Sequence, residues 1–139
     1  MNAKETQKMR KLSVAALVAT ATALLAPAAA QAAPATTTAL LGTYGFGRAA
    51  VIGDAGTAAG VWRAPVVRSG FAGDDLTVTF TPRTTPRASE KLVYTAAFNE
   101  VADAQAECRK VGADGVARHV WVSFRCQTGF VPSYTLYVR

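Results

Sequence analysis

Hydrophobic positions change period within the last third of the chain. Val101, Ala104, Cys108 and Val111 recur at the spacing of one helical face. Asn99 suits the cap of that helix, Glu100 and Asp103 lie at its positive end, and Arg109 and Lys110 at its negative end. Gly112 predicts the stop, and Asp114-Gly115 a further turn. From His119 the period becomes two. Val120, Val122, Phe124 and Cys126 point one way; His119, Trp121, Ser123 and Arg125 point the other. A last strand over residues 134–138 places Leu136 and Val138 on its apolar face. Cys108 and Cys126 therefore sit on faces that seek one core, the arrangement a helix-to-sheet disulfide needs.

Upstream the pattern is strand-like and punctuated by glycine. Leu76, Val78 and Phe80 alternate cleanly with Thr77 and Thr79. Residues 48–52 predict a strand, Gly53-Asp54-Ala55-Gly56 a turn, and residues 60–68 a strand that Pro65 confines to an edge or a bulge. Residues 91–95 predict another short strand. Gly42, Gly45 and Gly47, interleaved with Tyr44 and Phe46, fit a twisted edge strand; their spacing does not match a nucleotide-binding loop. No internal repeat is evident. About six strands and one helix predict an α+β fold, a small twisted antiparallel sheet or open barrel with the helix pinned on it by the disulfide. The alternative is an all-β sandwich with one embedded helix.

The first 32 residues change how the composition is read. Lys4, Lys8, Arg10 and Lys11 precede an apolar run over residues 12–25, then Pro27 and the small-residue site Ala30-Gln31-Ala32. This is the form of a secretory signal peptide cleaved before Ala33; the run is shorter than the roughly 20 residues that span a bilayer. Residues 33–38 read as a flexible segment and residues 39–139 as one globular domain. The leader holds four of the 15 basic residues and one of the nine acids, so the remainder carries about +3 rather than +6. That charge is scattered and gives no reason to expect nucleic acid. No membrane contact is expected after cleavage, and a monomer is expected. In an exported chain two cysteines predict one disulfide, which stabilises by about 3 kcal/mol for a loop of this size.

The residue inventory excludes several chemistries. His119 is the one histidine. Ser123, four residues along the expected strand, lies roughly 13 Å from it, too far for a triad. Two cysteines and one histidine lack zinc spacing, and no cofactor is implied. Glu100, Asp103 and Glu107 read as a solvated flank of the helix. Trp121 and Tyr137, both on the outward strand face, could form a stacking surface for sugar rings or a protein partner, or could pack beneath Trp62 and Tyr44. The loop over residues 82–89, stiffened by Pro82 and Pro86, presents Arg83 and Arg87 as inhibitor-like contacts.

Cys108, Gly112, Gly115, Trp121, Ser123, Cys126 and the final strand together resemble the C-terminal part of uncharacterised small secreted proteins of actinobacterial type. The resemblance covers the last third of the chain and implies no activity. The expectation is thus a secreted, non-catalytic binding domain for an extracellular protein or polysaccharide. The alternatives are a protease or glycosidase inhibitor, and a small hydrolase or antimicrobial factor.

Overall fold

Eight elements follow one another in two matching sets. The computed structural model describes residues 30–129 and 132–139, so the expected leader lies almost wholly outside the described residues. Ala33–Arg139 forms one compact unit. Its elements are β1 (Thr37–Tyr44), α1 (Arg48–Ala58), β2 (Arg63–Ser69), β3 (Asp74–Phe80), β4 (Lys91–Ala97), α2 (Ala104–Ala117), β5 (Phe124–Thr128) and β6 (Ser133–Val138). They build two antiparallel three-stranded sheets, ordered β1-β3-β2 and β4-β6-β5. The fold is α+β and neither sheet closes. Cys108–Cys126 ties α2 to β5, with Cα atoms 6.1 Å apart.

Each half runs strand, helix, strand, strand and places its last strand centrally. This duplication corrects the expectation of no internal repeat. The spacing Gly53–Gly56–Trp62 recurs unchanged as Gly112–Gly115–Trp121. Trp62 Nε1 donates to the Gly53 carbonyl at 2.9 Å, and Trp121 Nε1 donates to that of Gly112 at 2.8 Å. A Cβ on Gly56 would stand 2.0 Å from the Trp62 ring, and one on Gly115 2.0 Å from the Trp121 ring. The bare glycine backbone is what lets each indole lie against its helix. Both helices then end at a left-handed residue, Gly60 (φ 65°) and His119 (φ 59°). The buried helix positions correspond as well, Ala49 and Ile52 with Cys108 and Val111. A register shift follows Leu40 in β1 and Leu92 in β4.

The repeat explains where expectation failed. Residues 48–52 and the glycines after them form α1, not a strand and a turn, so the described residues hold two helices rather than one. Ala49, Ile52, Gly53 and Gly56 make a helical face in which glycine stands where the indole packs. For the same reason α2 runs through Gly112 and Gly115 to Ala117. Its cap is Asp103, whose Oδ1 accepts from the Ala106 amide at 2.8 Å, and not Asn99. His119 in the left-handed region breaks the expected alternation, and the strand begins only at Phe124. Thr37 and Thr38 belong to β1 rather than to a flexible segment. Pro65 does lie on an edge strand, beside a register shift.

The halves share one core. α1 packs on β1, β2 and β3 and also reaches β4; α2 packs on β4, β5 and β6 and also reaches β1. Trp62 and Trp121, equivalent residues, meet with ring centroids 5.9 Å apart.

Candidate functional site

Both sheets present an outer face that neither described helix covers, and the duplication allows the two to be compared row by row. Across the first sheet the rows are Leu40–Thr77–Val66 and Thr43–Asp75–Arg68. Across the second they are Leu92–Tyr137–Arg125 and Thr95–Thr135–Gln127. The fold requires an outward side chain at each position but not an aromatic one, so Tyr137 and its neighbours are particular to the second half. Arg125 packs on the Tyr137 ring, 4.5 Å from its centroid, which fixes the ring's orientation. Arg125 is itself held by Glu90 at 2.8 and 2.6 Å and by Gln127. That hydrogen-bonded pairing lowers the Glu90 carboxyl below its usual range. Thr95 and Thr135 join their hydroxyls across the strands at 3.1 Å. Beside Tyr137 the face opens into a hollow of about 350 Å³ lined by Gln127, Thr128, Gly129 and Thr135.

Tyr137 thus occupies the outward face that alternation predicts, whereas Trp121 does not join it. Trp121 is 1 % exposed, locked between α2 and Trp62. The expected two-ring platform is corrected to a single tyrosine, because the left-handed turn at His119 rotates both Val120 and Trp121 inward. Gln127, Thr128 and Thr135 were not singled out from sequence. Alternation puts Gln127 and Thr135 opposite in phase to Cys126 and Leu136, but only the pairing of β5 with β6 brings them together.

The loop over residues 82–89 is tied down at two points. The Arg83 amide donates to the His119 carbonyl at 2.7 Å, and Arg139 reaches the Ala88 carbonyl at 3.4 Å. Arg87 buries its Nε without a hydrogen-bond partner among the described residues. Burial, and then the nearby Arg83, lower its pKa. His119 lines a hollow with Arg83, Thr84, Val116, Trp121 and Val122, a set with no carboxylate to orient an imidazole. No group of three or more potential metal ligands is found among the described residues.

A polar cluster joins the halves. Glu107 is 13 % exposed rather than on a solvated flank. Arg48 grips it through Nε at 3.1 Å and Nη2 at 3.0 Å, and Tyr94 donates to the same carboxylate. Arg48 also faces Glu100 at 3.5 Å. Tyr44 donates to Asp114 at 3.0 Å, and Lys110 closes on Asp114 at 2.9 Å. Burial, then the charge of Asp114, raises the Tyr44 pKa; burial, then the bond to Glu107, raises that of Tyr94. The unfolded chain releases both protons near pH 10 while the fold retains them. Stability is therefore fully present below pH 10 and falls as pH rises above it. Urea midpoints should drop as pH rises from about 10 to 11, with a shallower drop in Tyr44→Phe. An unchanged midpoint across that range would contradict the assignment. These groups satisfy one another and serve the fold.

No family model matches the chain, and comparison with curated proteins and with solved structures finds no match.

Proposed function

We propose that the chain is a secreted, non-catalytic binding domain that holds a neutral polysaccharide on the outer face of its second sheet. The observation that carries this reading is the hollow beside Tyr137. An aromatic ring of set orientation stands next to the hydroxyls of Thr135 and Thr128 and the amide of Gln127. Sugars offer an apolar ring face and many hydroxyls, and they bind such combinations by stacking and by hydrogen bonds. The local charge is cancelled, because Arg125 pairs with Glu90. That balance favours an uncharged glycan over an anionic one. The disulfide suits an oxidising extracellular setting.

Titration of cellohexaose and chitohexaose into labelled protein, followed by amide NMR, tests it. At least one should shift the amides of Gln127, Thr135 and Tyr137. Tyr137→Ala should weaken binding about five- to tenfold, the equivalent of about 1 kcal/mol for a stacked ring. Shifts confined to other elements, or equal affinity in the folded variant, would reject the site. No shift with either sugar would reject the ligand class.

A further inference from the structure

Three phenylalanines that contribute nothing to the core stand at one end of the molecule. Phe71 is fully exposed at the tip of the β2–β3 hairpin, Phe46 is 69 % exposed in the β1–α1 turn, and Phe98 is 50 % exposed after β4. Printed contacts bring these segments together. The Gly47 amide donates to Asp74 Oδ2 at 2.6 Å, which sets the β1–α1 turn against the hairpin. The Arg48–Glu100 pair joins that turn to the segment after β4. Phe98 in turn donates its amide to Pro132 at 3.0 Å and packs on Tyr134.

The duplication shows that this is a repeated feature. Phe46 and Phe98 both follow the inner end of their half's first strand, in Thr43-Tyr44-Gly45-Phe46 and Thr95-Ala96-Ala97-Phe98. Ser69-Gly70-Phe71 likewise recurs in the sequence as Thr128-Gly129-Phe130, whose Phe130 lies outside the described residues. Substitution has altered most outward positions of the two halves, yet both keep phenylalanine here.

The chemistry of this end selects its partner. Residues 45–47, 69–73 and 97–99 carry no charged side chain. The adjoining charges are subdued: Asp74 is buried, and Arg48 is engaged by Glu107 and Glu100. Arg68, near the end of β2, is exposed. The rings stand on separate loops rather than along a groove. Separate protruding rings need a partner that deforms around each of them, which an acyl layer does and a rigid protein surface does not. We infer that this loop end inserts Phe46, Phe71 and Phe98 shallowly into a lipid bilayer with neutral headgroups. Contact of this kind is peripheral, and its strength follows the buried apolar area. No described helix is long and apolar enough to cross a membrane.

Flotation with vesicles of pure phosphatidylcholine, using residues 33–139, which hold the whole core, tests the inference. The protein should float with the vesicles. Addition of about 0.5 M salt should leave binding unchanged, because no ion pairing drives it. Phe46→Ser/Phe71→Ser should reduce partitioning at least tenfold while keeping the wild-type urea midpoint, since neither ring is in the core. Tyr137→Ala should float like wild type, which separates this contact from the glycan site. No flotation, undiminished flotation of the double variant, or binding that requires phosphatidylglycerol and vanishes in salt would each overturn it. So would loss of an extracellular protein partner by the double variant with no flotation of either form, which would assign the rings to a protein contact.

Discussion

Glu107→Ala is expected to destabilise the fold by about 3 kcal/mol, the low end of the range for breaking a buried ion pair. Arg48 and Glu107 are each 13 % exposed. Removing the carboxylate leaves Arg48 with the Tyr94 hydroxyl and, as counter-charge among the described residues, the partly exposed Glu100 at 3.5 Å, and it takes the acceptor of Tyr94 as well. The loss acts on the joint between halves, because Arg48 opens α1 while Glu107 lies in the first turn of α2. The two residues also hold equivalent places in the repeat, one position before Ala49 and Cys108. A site that faces its own equivalent would set like against like if both halves kept the same residue; here one half carries the cation and the other the anion. The replacement Arg48→Met/Glu107→Leu removes both charges together and should recover most of the stability, since paired hydrophobic residues replace buried ion pairs at little cost. Lys110→Ala, at an exposed pair, should cost under about 1 kcal/mol. Urea unfolding of the three variants decides. Glu107→Ala as mild as Lys110→Ala, or a double variant worse than Glu107→Ala, would show that the pair does not join the halves.

The parts legible from sequence were those in which the local pattern agrees with the burial it produces. Leu76, Val78 and Phe80 alternate and are buried; Pro65 demanded an edge and has one. Cys108 and Cys126 were readable because each sits on a continuous apolar face, and they are bonded. The first helix was hidden because two of its inward positions are glycine, which by propensity argues against a helix. The ring that fills their place, Trp62, comes from beyond the helix end, so no window over the helix contains it. Trp121 was misplaced by a single residue of phase. One left-handed residue, His119, ends the alternation, and a slip of one position moves a side chain through the sheet. The duplication was obscured because most outward residues differ; what repeats is glycine, tryptophan and phenylalanine at spacings that have meaning only once the indoles are seen against the helices. Of the candidate site, Tyr137 was legible by alternation. Its polar neighbours were not, because Gln127 and Thr135 come together only through the pairing of β5 with β6.

Gly115→Ala tests that packing most directly, because two effects of opposite sign compete. Within a helix, alanine is favoured over glycine by about 1 kcal/mol. On propensity alone the variant would be more stable. The new methyl, however, would stand 2.0 Å from the Trp121 ring, well inside contact distance. The indole lies 1 % exposed, held between α2 and Trp62. Displacing it strains the core and lengthens the bond from Nε1 to the Gly112 carbonyl. The expected net effect is a loss of about 3 kcal/mol, so sterics decide the sign. Gly45→Ala, whose Cβ would meet only Arg48 Cγ at 3.5 Å, should change stability by less than about 0.5 kcal/mol. Gly56→Ala should match Gly115→Ala, because Trp62 stands over it at the same distance. Trp121→Leu carries its own cost, but Gly115→Ala added to it should be nearly neutral, since the ring that clashes is gone. Strict additivity of those two costs in urea unfolding would show that the glycine is not there to admit the indole. Non-additivity at Gly115–Trp121, matched at Gly56–Trp62, would establish that the two halves are built on one device, a glycine-floored helix with a tryptophan laid across it.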